Sequence, residues 1–192
     1  MQASILDIDT AILTKRTVVR RFREGDGPSF YELLQENHAR LMDHFPFLIR
    51  QVTDKDKGEY YVRRKIAAWL LQEEFTFGIW DNDSARLIGA IRLYHLDWTL
   101  PRGELTFFID QLFSGRNLMT EALAACVRFA FTQLGIRKLQ LRTPMDNYAA
   151  QRLARKVGFR REGDLREEFR RPGGELIDVM LFGLTFSEFD KI

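Results

Sequence analysis

An apolar strand candidate, Leu105-Thr-Phe-Phe-Ile109, is followed within a few residues by Phe113-Ser-Gly-Arg-Asn-Leu-Met-Thr-Glu-Ala122 and an apolar-periodic run to Leu134. Apolar residues three and four apart define one face of a helix, and that face must bury itself against the sheet that the strand belongs to. Strand, tight turn and helix therefore form one packed unit. The spacing predicts a turn at Gly115 and a helix starting near Ser114, a residue type favoured as an N-cap. The first N–H groups of a helix have no intrahelical partner, and the helix dipole adds partial positive charge there. A phosphate suits such a place. Gly115 permits close backbone approach, and Arg116 in the same turn can add a charge-assisted contact to a pyrophosphate. Taken alone, a single glycine before a helix is a weak signal and fits an ordinary strand-to-helix turn better.

The downstream sequence narrows the choice. Residues 137–143 alternate as a strand, Pro144 interrupts, and Asn147-Tyr-Ala-Ala-Gln-Arg-Leu-Ala-Arg-Lys-Val-Gly-Phe159 reads as a short helix closed by a glycine. This order, with the run Arg155-Lys-Val-Gly-Phe-Arg-Arg-Glu-Gly163, resembles the GNAT superfamily of acetyl-CoA-dependent N-acetyltransferases. It is most similar to the Rim-type branch, which acetylates protein N-terminal amines, and to its relatives that acetylate small molecules. Further matching points are Arg16-Thr-Val-Val-Arg-Arg-Phe22, Glu104, Gly115 with Met119-Thr-Glu-Ala122, and Asp178-Val-Met-Leu-Phe182. The resemblance spans about residues 14–186.

The other segments are consistent with one α/β domain. Residues 17–22 and 75–80 read as strands, residues 87–95 as the partner of the latter, and residues 29–38 and 60–72 as helices. Residues 42–57 look irregular, and residues 165–170 and 175–184 form a closing hairpin around Arg171-Pro-Gly-Gly174. The fold expected is a mixed α+β arrangement: a central twisted sheet of about seven strands flanked by about four helices, with residues 1–13 as an N-terminal extension to a single domain over residues 1–192. That length supports a substantial core. With 29 basic and 27 acidic residues, a net charge of +2 is too balanced for nucleic acid or an anionic membrane as the main partner. The single cysteine, Cys126, falls on the apolar face of its helix and reads as a buried core thiol. Neither a signal peptide nor a membrane span is visible, so a cytoplasmic protein is expected. No metal-ligand spacing is apparent, and no metal is expected.

What the resemblance implies is specific. Acetyl transfer to an amine needs an unprotonated amine, donors for a tetrahedral oxyanion and a proton for the departing thiolate. Acetyl-CoA would be co-substrate, and the acceptor a peptide N-terminus or a small primary amine, attacked directly in a ternary complex by a monomer or homodimer. The pantetheine arm would pair with backbone groups transferred to Phe108, Ile109 and Asp110. The pyrophosphate would lie on the N–H groups of Gly115, Arg116, Asn117, Leu118, Met119 and Thr120, and Asn147 would face the pantetheine or its thiol end. Glu104 is the first choice for the base and reads equally as an ordinary paired carboxylate; Glu168 is the second, and its neighbours Arg166, Glu167, Arg170 and Arg171 favour a solvated, alternating-charge surface there.

Two departures from the family matter. Ser114 and Asn117 stand where the phosphate turn usually carries Gln or Arg and a second glycine, although Asn tolerates unusual backbone well. Ala150 replaces a serine that would protonate the thiolate, leaving Tyr148 or water. His95 shares strand parity with Leu87, Ile91 and Leu93, which points it into the apolar face. His44, Phe45, Phe47, Tyr60 and Tyr61 fall where the family roofs its acceptor site, and they suit an apolar or peptide acceptor better than a polycation. A CoA-binding protein without turnover, and a partner-binding protein that keeps only the fold, stand as alternatives.

Overall fold

The computed structural model describes residues 8–190. β1 (Ala11–Leu13) and β2 (Thr17–Arg21) form a hairpin. Four helices follow: α1 (Gly27–Glu36), α2 (His38–His44), α3 (Pro46–Gln51) and α4 (Lys55–Leu70). Then come β3 (Phe75–Asp81), β4 (Leu87–Asp97), β5 (Arg102–Ile109), α5 (Leu118–Thr132), β6 (Lys138–Pro144), α6 (Tyr148–Val157), β7 (Arg160–Arg170), β8 (Leu176–Thr185) and α7 (Phe186–Phe189). Among the described residues the sheet has eight strands and the chain seven helices, where about seven and four were expected. β1 falls inside the expected extension. The stretch read as irregular folds into α3 and the start of α4, because Pro46 opens one helix and the Asp54 carboxylate caps the other by accepting from the Lys57 N–H. No helix among the described residues is long and apolar enough to cross a membrane.

The sheet order is β1-β2-β3-β4-β5-β6-β8-β7. Every neighbouring pair is antiparallel except β5 and β6, which are joined by the α5 crossover. α5 buries Leu118, Ala122, Leu123, Cys126, Val127 and Ala130 at helical spacing against Phe77, Ile91, Leu105 and Leu141. Each such large apolar side chain contributes roughly 1.5–3 kcal/mol on burial. Trp69 sits edge-on to Phe75 and Phe77 in the same cluster. A second cluster lies beneath α1–α4, where Phe30, Leu33, Leu34, Leu41 and Val62 meet Phe22, Leu87, Ala90 and Phe108.

α1 and α4 cross at two glycines. A Cβ on Gly58 would lie 2.5 Å from the Gly27 carbonyl oxygen, and one on Gly27 would lie 2.2 Å from the Glu59 Cα. The closeness lets Glu59 of α4 accept from the Gly25 and Gly27 N–H groups at 3.0 Å each. It thereby caps a helix whose own N-cap, Asp26, is committed to Arg20. Replacing Gly58 by valine should force these backbones apart and lower unfolding free energy by about 2 kcal/mol or more, within the usual range for overpacking. Urea denaturation monitored by tryptophan fluorescence measures it, and an unchanged midpoint would contradict the close crossing.

Candidate active site

The site begins where two strands stop pairing. β5 and β6 are in register only from Arg102↔Lys138 to Leu105↔Leu141. Beyond that, β5 stays with β4 as far as Ile109 and β6 stays with β8 as far as Pro144. Each is held by its outer neighbour, and a cavity of about 880 Å³ opens between them. In an antiparallel ladder the N–H and C=O of one residue face the same neighbour, and the direction alternates along the strand. The Asp110 N–H donates to the Ile88 carbonyl at 2.7 Å, and Phe108 lies opposite Ala90. Alternation therefore turns Phe108 and Asp110 toward β4 and leaves the backbone groups of Phe107 and Ile109 facing the gap. Of the expected set of Phe108, Ile109 and Asp110, Ile109 faces the gap together with Phe107, and Phe108 and Asp110 face β4. Asp110 is also absent from the cavity wall, its carboxylate receiving Asn37 and the Leu112 N–H. Phe108 still lines the cavity. One donor already reaches the Ile109 carbonyl: the Arg40 guanidinium.

The turn after β5 differs from expectation in one respect. The helix does not start near Ser114. A 3-10 turn, Gln111–Phe113, intervenes, and Ser114 closes it by donating to the Asp110 carbonyl at 3.3 Å. α5 starts at Leu118, and its N-cap is Asn117, in left-handed backbone at φ 61°. Gly115 is also left-handed, at φ 76°, and a Cβ there would meet nothing within 4 Å. Among the described residues, the N–H groups from Gly115 to Thr120 have no hydrogen-bond partner. Five of these six residues, Gly115, Asn117, Leu118, Met119 and Thr120, line the cavity. The Arg116 side chain does not line it; its guanidinium lies 5.3 Å from the centre of the Phe113 ring. The cation at the mouth is Lys156 of α6, which donates to the Asn117 Oδ1 at 2.8 Å. Arg16 braces the turn from the start of β2, reaching the Arg116 carbonyl at 2.9 Å and Glu121 at 3.0 Å.

The two candidate carboxylates meet at one arginine. Glu104 is buried on β5, and Tyr94 opposite it on β4 donates its hydroxyl to Oε1 at 2.7 Å. Burial, then the Glu104 carboxylate, push Tyr94 well above the ordinary phenol range, so it keeps its proton. Arg142 of β6 approaches Oε2 at 3.4 Å and also pairs with Glu168. Glu168 reaches the cavity because β7 bulges between Leu165 and Phe169, with Glu167 at φ 53° and its N–H on the Asp178 carboxylate. Such a bulge re-aims a side chain. Arg142, Tyr94, Arg40 and Lys156 carried no assigned role in the sequence, because each owes its place to a contact across strands or helices distant in the chain.

At the opposite wall, Asn147 lines the cavity, but its Oδ1 is taken by the Ala150 N–H at 3.1 Å as the cap of α6, leaving its amide nitrogen for a ligand. Ala150 lines the cavity and its side chain offers no donor, while Tyr148 is 66% exposed and does not line it. Of the roof aromatics, His44 and Phe45 line the cavity, Tyr61 stacks on Phe30, and Phe47 and Tyr60 are exposed. Burial lowers the proton affinity of His44 and so favours its neutral form. His95 departs from its expected inward direction. Its backbone is left-handed at φ 50° and the β4–β5 register shifts beside it, so the side chain turns outward.

Comparison with known proteins agrees with this geometry. The family described as Acetyltransferase (GNAT) domain matches residues 16–160. A probable N-acetyltransferase of Bacillus subtilis, YjcK, is 30% identical over 99 residues, which are 51% of this chain and 55% of that protein, so the chain spans about half the length of this relative. Ribosomal-protein-S5-alanine acetyltransferase from Vibrio fischeri superposes with a TM-score of 0.85 at 14% identity, covering 94% of this chain and 99% of that one. RimJ of Mycobacterium smegmatis, in complex with CoA-disulfide, gives 0.84 at 17% identity over 94% and 88%.

The left-handed N-cap is open to a direct check. A left-handed residue with a Cβ costs about 1–2 kcal/mol, less for Asn than for most. Asn117→Ala should therefore destabilise the fold by about 1 kcal/mol, whereas Asn117→Gly should sit within about 0.5 kcal/mol of the parent. Equal destabilisation by both in urea titrations would mean that the Lys156 contact, not the backbone, is what matters.

Proposed function

The chain belongs to the GNAT acetyltransferase family, and we propose that it moves the acetyl group of acetyl-CoA to a primary amine, a protein N-terminus or a small molecule, by direct attack in a ternary complex. The observation that carries this reading is the open seam between β5 and β6, with unpaired turn N–H groups at one end and a buried carboxylate at the other. A pyrophosphate suits the N–H groups of Gly115 to Thr120, which offer fixed donors and the positive end of α5. Lys156 adds a cation beside them. Pantetheine amides suit the free backbone groups of Phe107 and Ile109 as a missing strand would, with Arg40 either sharing or yielding the Ile109 carbonyl. The thioester end then points along the seam toward Glu104.

Amines are largely protonated at neutral pH. Glu104, held by Tyr94 and Arg142, takes the proton of the incoming ammonium directly or through a water. The freed amine attacks the thioester carbonyl, the C–S bond breaks as the C–N bond forms, and the second proton that the nitrogen must lose passes through water to the departing thiolate. Neither Ala150 nor the outward Tyr148 supplies that proton. Glu168 holds Arg142 and so acts through it, which ranks it behind Glu104 as a base. The half-apolar roof of His44 and Phe45, with arginines below it, suits a peptide N-terminus or compact amine better than a polycation.

Two variants test the halves of this reading separately. Gly115→Val keeps the space free but puts a β-branched residue at positive φ, tilting the donor row. CoA affinity should fall about tenfold, the equivalent of 1.4 kcal/mol, in isothermal titration, with the fold retained by circular dichroism. Affinity equal to the parent's would move the anion site elsewhere. Glu104→Gln keeps shape and removes the base. Turnover of the best acceptor in a panel of peptide N-termini and small amines should drop about a hundredfold, with CoA affinity nearly unchanged. Because rising pH frees the amine without help, the deficit should narrow at alkaline pH. A variant with parental turnover at neutral pH would remove Glu104 from the chemistry.

A further inference from the structure

Glu104 and His95 touch across a wall. Glu104 lines the large cavity, while His95 lines a second cavity of about 530 Å³, and Tyr94 and Arg92 belong to both. The His95 Nδ1 lies 3.3 Å from the Glu104 Oε2. The His95 side chain is 69% exposed and that of Glu104 only 8%. A regular strand would not produce this contact. Alternation from Ile91 and Leu93 would bury residue 95, and only the left-handed turn at φ 50°, with the register shift between Tyr94 and Asp97, swings the imidazole to the outer side of the carboxylate. A non-glycine residue in that region costs on the order of 1 kcal/mol or more, so the placement is held against its local preference.

A buried base must also lose the proton it has taken. Once acetyl-CoA and an acceptor fill the seam, any water left beside Glu104 on that side is cut off from bulk solvent. Of the groups facing the carboxylate, Tyr94 already donates to Oε1 and keeps its proton, and Arg142 from β6 carries donors only. Arg92, on the shared wall, is paired with the buried Glu74. His95 alone of these Glu104 partners can accept on one nitrogen and release from the other, and it stands in solvent.

We propose that His95 relays the proton from Glu104 to water through the second cavity; the inference rests on Glu104 being the base. The proton on Oε2 passes to the lone pair of Nδ1 on the neutral imidazole, and the carboxylate is regenerated. Nε2 releases its own proton to water, and exchange at the exposed ring restores the starting tautomer. One proton leaves per acetyl group transferred, and no other bond changes. Arg142, at 3.4 Å from the same oxygen, helps to hold the carboxylate in place beside the imidazole. His95 acts through Glu104 and touches no substrate.

His95→Asn is the informative variant, because Asn accepts left-handed backbone yet cannot cycle a proton at neutral pH. Turnover of the best acceptor should fall about tenfold, less than the hundredfold or more for a group acting on the substrate itself. CoA affinity should be unchanged, and the solvent deuterium isotope effect on turnover should rise. Added imidazole, which can enter the second cavity, should restore turnover in His95→Asn and not in Glu104→Gln, where there is no proton to relay. Parental turnover in His95→Asn, or a loss that imidazole leaves untouched, overturns the relay while acetyl transfer stands. Absence of transfer by the parent to every acceptor overturns both.

Discussion

Backbone hydrogen bonds left unmade inside a sheet normally weaken it, and the parting of β5 and β6 after Leu105 and Leu141 is the constraint on which the remaining structure depends. Each strand compensates by full pairing on its other side, to Ile109 against β4 and to Pro144 against β8. α5 bridges the part of the sheet that still holds, with Leu105 and Leu141 buried beneath it. Its N-terminus therefore stands at the open end of the seam. The same crossover that makes the one parallel pair thus aims a row of free N–H groups at the space the strands vacate.

Charge is managed around that seam by pairing. A carboxylate as buried as Glu104 would be costly alone, but it receives a phenol, a guanidinium and an imidazole from two neighbouring strands. Glu74 does the same beneath the second cavity, holding Lys65 at 2.7 Å, Arg92 at 2.5 Å and Thr76 at 2.6 Å. The two clusters share the Arg92–Tyr94 segment of β4, so the wall between the cavities is stiffened by ionic contacts rather than by apolar packing alone. A stiff wall keeps the geometry of Glu104 fixed while the open seam is left to a ligand.

Two non-glycine residues in left-handed backbone, Asn117 and His95, mark where function and local preference diverge. Asn117 turns the chain into α5 without a glycine and hands its side chain to Lys156. His95 leaves the strand register and meets Glu104 from outside. A reading of periodicity assigns both to regular positions, a first-turn residue and an inward strand residue. Strand parity assumes unbroken pairing, and the bulge near His95 depends on how β5 begins opposite it.

The sequence by itself determined the α5 unit, the glycine-closed α6, the buried Cys126 and the order of most strands, because these follow from apolar spacing and turn chemistry over a few residues. It also singled out Glu104 and the Gly115 turn through resemblance. Tertiary structure decided which backbone groups face the seam, since alternation is fixed only once β5 is registered against β4 through the Ile88–Asp110 bond. It likewise decided that α2, α3 and the front of α4 are helical, and that Arg142, Lys156 and Arg40 converge on the site. Those side chains arrive from β6, α6 and α2, and only the folded chain brings such distant segments within hydrogen-bonding reach.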